Sequence, residues 1–296
     1  MIKSNENISV SFEFFPPKTE KAEEVFWKTV YKLETLNPSF VSMTYGADGS
    51  KQNTSRRIIQ ELCKRNWNVA AHLTCVGASR DQINNTALDF INLGANQIVA
   101  LRGDAPTEAG RYFPHPDGYQ NAAELVKGLR CLKKKQIEIS VGGYPEIHPD
   151  SVNEEEDLDN LKRKVDAGAD RILTQFFFDN EFFLRFRDKA VSAGISVPII
   201  PGIMPIMNFC NIKIMAQKVG TSIPEWLENQ FLGLEEDLET LKFISMNVLG
   251  KQVLELKREG VKDFHFYTMN RGELTFALCY LIGISPNSNL ITKKKF

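Results

Sequence analysis

The chain has 296 residues, 43% of them hydrophobic, and its 36 lysines and arginines nearly balance 37 acidic residues. No global field therefore recruits nucleic acid or an anionic membrane surface, no stretch approaches the roughly 18 apolar residues of a membrane span, and residues 1–7 lack the apolar core of a secretory signal. A cytoplasmic protein with a small-molecule partner is expected, and five cysteines without a paired framework suit reduced thiols.

Runs rich in β-branched and aromatic residues occupy 8–15, 40–44, 69–73, 97–101, 137–144, 171–178, 197–200 and 264–268. Each reads as a strand. After the first, Pro16-Pro17 makes a stiff turn and Thr19 can cap a helix whose apolar positions Ala22, Val25, Phe26, Val30 and Leu33 follow helical spacing. Further helices are expected over 54–64, 80–93, 121–133, 154–167, 181–193, 209–219 and 272–281, several closed by a glycine such as Gly94, Gly168 or Gly194. Residues 221–260 exceed what the pattern needs and read as a short and a long helix decorating the body. The loop 105–119 is too long for a simple connection and is placed to shape substrate access.

Eight strand-helix units predict an α/β fold, a (β/α)8 TIM barrel with extra helices between strands 7 and 8, whose chemistry sits at the C-terminal strand ends. A single catalytic barrel over 8–290 is expected, with a flexible N-terminus over 1–7 and a basic, solvated tail over 291–296.

The strand ends carry the candidate residues. In the first strand Ser11, Glu13 and Phe15 share one face, which aims Glu13 at the mouth; a carboxyl among apolar neighbours can stay protonated and serve as a general acid. The second and third strands end in Thr44 and His72. The fourth ends in Arg102-Gly103-Asp104, where an arginine-aspartate pair capping the loop competes with a functional site. After the fifth, Gly142-Gly143 allow a flat ligand to approach the backbone, and Tyr144 and His148 supply ring surfaces. Asp157, Asn160 and Lys164 fall along one helical face. The sixth strand offers Gln175 instead of a lysine, which argues against Schiff-base chemistry. Residues 201–205 follow the seventh strand as an apolar wall of the mouth, and Arg271 follows the eighth.

No metal site is expected, because His72 and Cys75 lack further ligands and His115, His148 and His265 are scattered. Rossmann, P-loop, nucleophile-elbow and zincin signatures are absent. On residues alone, a barrel enzyme for a phosphorylated substrate and a silent ligand-binding barrel both stay open.

Nine blocks in order narrow this: SFEFFPP (11–17), VSMTYG (41–46), AHLTC (71–75), LRGD (101–104), YPEIHP (144–149), LKRKVDAGA (161–169), TQFFFD (174–179), IPGI (200–203) and GVKDFHFYT (260–268). Together they resemble the methylenetetrahydrofolate reductase family in its short bacterial form. The resemblance implies a noncovalent FAD that takes a hydride from NADH or NADPH and passes it to 5,10-methylenetetrahydrofolate in ping-pong fashion, supporting methionine synthesis. It also implies a homo-oligomer, and no domain for feedback by adenosylmethionine. Matching positions make Glu13 the general acid and place Asp104 near flavin and folate. Thr44, His72, Arg102, Gly103, Ala122, Tyr144, His148, Asp157, Asn160 and Lys164 would join Asp104 in holding FAD, and Gln175 would orient folate and nicotinamide. Met215 stands where the family has a stacking phenylalanine, and Asn211 where it has a glutamine; Met215 and Arg271 are carried over as substrate-binding.

Overall fold

The computed structural model describes residues 8–45, 49–104, 112–132 and 137–287. The expected termini over 1–7 and 291–296 lie outside them, as does the 105–111 part of the long loop. Eight parallel strands, β1 (Ser9–Phe14), β2 (Phe40–Met43), β3 (Val69–Thr74), β4 (Gln97–Leu101), β5 (Glu138–Gly143), β6 (Arg171–Phe176), β7 (Ile199–Ile203) and β8 (Asp263–Tyr267), close in sequence order. The TIM barrel is as expected. Around it run α1 (Glu20–Glu34), α2 (Gly49–Lys64), α3 (Arg80–Asn92), α4 (Ala122–Cys131), α5 (Glu154–Asp166) and α6 (Asn180–Ser192), then α7 (Phe209–Val219), α8 (Glu225–Phe231), α9 (Leu238–Arg258) and α10 (Glu273–Leu281).

The alternation of β1 sets the layering. Phe12 and Phe14 are wholly buried, Phe14 lying edge-on to Phe26 of α1 at 5.4 Å, while Ser11 and Glu13 point into the barrel. Inside, Phe40, Ala70, Val99, Leu173 and Ile200 form an apolar plug. Two residues further along the same strands stand Ser42, His72, Leu101, Gln175 and Gly202, one layer nearer the C-terminal face. The strand period of two thus stacks a mostly polar floor on a dry core.

Two expectations are corrected. Pro201-Gly202 does not follow the seventh strand but lies inside β7, which is offset from the expected 197–200. A Cβ on Gly202 would sit 2.2 Å from the Thr174 carbonyl oxygen and 2.6 Å from the Tyr267 ring, so a side chain is excluded there, and the β6–β7 register slips between Leu173 and Phe176. Nor is α7 the seventh outer helix. That place between α6 and α10 is taken by α9: Asn180 donates to the Gln252 carbonyl at 3.1 Å, Gln252 to the Phe177 carbonyl at 2.8 Å, and Arg187 to the Glu259 carbonyl at 3.0 Å. The excess elements are α7 and α8. They carry a second apolar cluster in which Phe209 stacks on Phe231 at 4.7 Å over Phe176, Phe178 and Met204, and so hold α7 across the ends of β6 and β7.

Candidate functional site

At the floor of the mouth, Glu13 is only 7% exposed, with Oε2 3.2 Å from His72 Nε2, 3.5 Å from His265 Nε2 and 3.3 Å from the Ser42 hydroxyl that donates to it. Neither imidazole nitrogen makes a well-angled hydrogen bond, so both face the carboxylate through proximity alone. His265 is fixed from its other side by Ser11, whose hydroxyl lies 2.7 Å from Nδ1. Burial pushes the Glu13 pKa up, but the two histidines outweigh it and bring it down to about 2. This corrects the expectation of a protonated carboxyl. The two phenylalanines flanking Glu13 in sequence project to the opposite face of the strand, and the neighbours it actually meets are polar.

A second group gathers between the ends of β4 and β5 and helices α4 and α5. Arg102, Ala122, His148, Asp157, Asn160 and Lys164 line one cavity of about 170 Å³. The helical spacing of the last three therefore serves this cavity. Lys164 donates to the Gly142 carbonyl at 2.6 Å, and burial pulls its pKa down to about 8 against the raising field of Asp157. Asp157 accepts from the His148 backbone N–H at 3.1 Å and from Ser151 at 3.2 Å. His148 meets the Tyr144 ring at 4.5 Å. Of the paired glycines only Gly142 opens inward; a Cβ on Gly143 would strike Ile172 at 2.7 Å and Phe186 at 2.9 Å, so its role is packing. Gly103 adopts φ +92°, a backbone suited to glycine.

Arg102 does not pair with Asp104. It pairs with Asp150 at 2.6 Å and lies over the Tyr112 ring at 4.5 Å. Asp104 stands 85% exposed and meets Lys218 of α7 at 3.4 Å. Its charge nonetheless reaches inward: after burial it is the largest influence holding the Tyr144 phenol up at about 12, and Glu13 acts likewise on Tyr267, whose hydroxyl donates to the Thr174 carbonyl at 2.7 Å. Gln175 rises from the floor layer beside Tyr144, its Oε1 accepting from the Phe176 N–H at 3.0 Å. Met215 and Arg271 line two further cavities at the rim.

Thr44 sits just past β2, its N–H bonded to the Phe14 carbonyl, and His72 contacts Glu13; neither lines the Lys164 cavity. His265, Asp150 and Lys218 were not singled out from sequence, although the alternation of DFHFY places His265 and Tyr267 on one face. Another cavity, about 730 Å³ and lined by Leu184, Arg185 and Asp188, lies on the outer helical layer and holds none of these residues.

Known proteins give the site a context. The family model described as methylenetetrahydrofolate reductase matches residues 1–283. The chain is 48% identical to the 5,10-methylenetetrahydrofolate reductase of Salmonella typhimurium and 47% to that of Escherichia coli, in each case over 94% of this chain and 92% of the relative. Among solved structures, an uncharacterised Clostridium thermocellum protein that binds two copies of 5-methyl-5,6,7,8-tetrahydrofolic acid superposes with a TM-score of 0.61 at 14% identity, covering 94% of both chains. That likeness is one of fold.

Proposed function

The chain belongs to the methylenetetrahydrofolate reductase family, and from that premise we propose that it reduces 5,10-methylenetetrahydrofolate to 5-methyltetrahydrofolate with electrons from NADH or NADPH. It does so through noncovalent FAD, in cytoplasmic one-carbon metabolism that feeds methionine synthesis. The observation that carries the cofactor reading is Lys164: a buried ammonium with a single carbonyl acceptor, its pKa depressed to about 8, in a cavity shared with Arg102. Such a cation gains when an anion joins it.

The donor set fits FAD. Arg102 and Lys164 suit its phosphates, Asp157 and Asn160 its hydroxyls, and the open Cα of Gly142 leaves room at the wall; the volume matches a pyrophosphate-ribose portion rather than the whole dinucleotide. When bound, FAD supplies the two-electron hydride chemistry that no side chain offers, accepting from the nicotinamide and giving to the folate in alternate half-reactions.

The remaining work falls to the protein. Glu13, its Oε2 3.2 Å from His72 Nε2 and 3.5 Å from His265 Nε2, passes the proton that opens the folate imidazolidine ring. Asp104 sets a negative charge at the mouth, which stabilises a cationic folate iminium and disfavours a second anion beside it. The Gln175 amide orients the flat substrates, and Met215 covers a ring through polarizable contacts.

Colour and stopped-flow absorbance test the reading. The purified protein should be yellow, release FAD on denaturation, bleach with NADH or NADPH and recolour with methylenetetrahydrofolate. A folded, colourless protein that cannot be reconstituted with FAD would overturn it.

A further inference from the structure

In the YPEIHP block, His148 lines the cofactor cavity and Tyr144 meets its ring, but Glu146 between them does not line that cavity. Its carboxylate turns to α7 instead: Oε2 accepts from the Ser222 backbone N–H at 3.0 Å, just past the end of that helix. The other oxygen, Oε1, is buried without a hydrogen-bond partner among the described residues. Burial accordingly pushes the Glu146 pKa up, against the lowering effect of its bonds to Ser222. A carboxylate held in that state costs the fold free energy at neutral pH, which an amide of the same shape would not.

The backbone beside it is also held against its preference. Ile147 sits at φ 31°, a costly conformation for a β-branched residue, and such strain persists only where the surroundings fix it. Here the fixing partners belong to two different regions. Toward the cofactor cavity, Asp157 holds the His148 N–H at 3.1 Å and Arg102 holds Asp150 at 2.6 Å. Toward α7, Pro149 packs on the turn that ends the helix, where a Cβ on Gly220 would come within 3.0 Å of its ring, and Glu146 takes Ser222. At that same end Thr221 pins the chain to β6, its hydroxyl donating to the Phe176 carbonyl at 2.9 Å, while the Phe209 cluster holds the other end. Two end pins leave a helix free to roll about its axis. The Ser222 bond resists that roll, and Met215 lies about two turns before it.

Resting on the reductase reading above, we infer that Glu146 is a positioning residue: through the Ser222 N–H it sets the roll of α7 and so places Met215 over the substrate rings. The block thus serves two sites, His148 the cofactor and Glu146 the helix that covers what the cofactor reacts with.

Half-reaction and steady-state kinetics on the FAD-loaded enzyme test this. Loss of one hydrogen bond in Glu146→Ala should raise the KM for the nicotinamide and for the folate together, by about 2- to 10-fold, with FAD affinity unchanged because Glu146 does not line the cavity. Glu146→Gln keeps an acceptor for Ser222 and should restore both KM values, at a melting temperature equal to or above that of the wild type. In a Met215→Ala background the further change Glu146→Ala should move neither KM by more than about 2-fold, since the two residues act as one unit. Additive effects in this cycle, unchanged KM values, or a loss confined to FAD affinity would each overturn the inference. Amide exchange in α7, expected to be faster in Glu146→Ala than in the wild type, reads the latch without any substrate, and unchanged exchange would overturn it too. Wild-type turnover separates the two readings: its absence sinks the folate reductase, whereas normal turnover with an indifferent Glu146→Ala sinks only the positioning role.

Discussion

Around Glu13 the barrel supplies buried, fixed partners, whereas around Asp104 it supplies exposed ion pairs that a ligand can displace. The carboxylate of Glu13 is held by side chains from β2, β3 and β8, each set by strand register. Asp104 and Arg102 instead lean on Lys218 and Asp150, from α7 and a loop. Proton handling needs geometry within hydrogen-bond reach and is built on strands. Cofactor and substrate entry need groups that can let go, and surface ion pairs cost little to break.

The largest effect should come from breaking the fixed half. Glu13→Gln keeps the shape but cannot pass a proton, so folate reduction should fall about 10²- to 10⁴-fold while flavin bleaching by the nicotinamide stays within about 2-fold. Equal loss of both half-reactions in stopped flow would refute the proton role. The same residue ties function to stability. Its folded pKa, about 2, lies below the ordinary 4.5, so the ionised form favours the fold. That contribution, on the order of 3 kcal/mol, is complete above the unfolded value and lost as pH falls through the folded one. Denaturant titrations should show the stability gap between wild type and Glu13→Gln narrowing from about pH 5 to about pH 3. A gap independent of pH would mean that the histidines do not hold the carboxylate down.

How much of this was legible in sequence follows from which interactions are local. Strand alternation was enough to turn Glu13 inward and Phe12 and Phe14 outward, and helical spacing was enough to align Asp157, Asn160 and Lys164. What alternation cannot give is pairing between distant strands. Ser11 meets His265 only because β1 closes the barrel against β8, a contact across 254 positions, so the polar surroundings of Glu13 were hidden and its flanking phenylalanines misled. Arg102 had an aspartate two residues away and took Asp150, 48 residues on, because the turn at Gly103 directs the two side chains apart. The amphipathic pattern of α7 also could not say whether its apolar face met the barrel wall or, as it does, a second cluster over the strand ends.

The exchangeable half can be sharpened at Lys164, its most buried member. Lys164→Met removes a cation whose burial is costly, so the apoprotein should melt at the same temperature or higher, while FAD affinity measured by equilibrium dialysis should fall about 10- to 100-fold, as expected for a lost charge-assisted bond. A lower melting temperature with unchanged FAD affinity would make Lys164 a structural residue that merely satisfies the Gly142 carbonyl.

The smallest and most diagnostic shifts belong to Asp104 and Lys218, because charges that are 85% and 72% exposed act through water. Asp104→Asn removes an anion from the mouth, so the flavin potential should rise and folate reduction should slow by a factor of about 2 to 10. Lys218→Gln removes the cation that partly offsets that anion, so the potential should move the opposite way, by less. Both shifts should shrink as salt is raised, since screening acts on exposed charges before buried ones. Potentials that move in the same direction in the two variants, or that ignore salt, would show that the Asp104 charge is not what tunes the mouth.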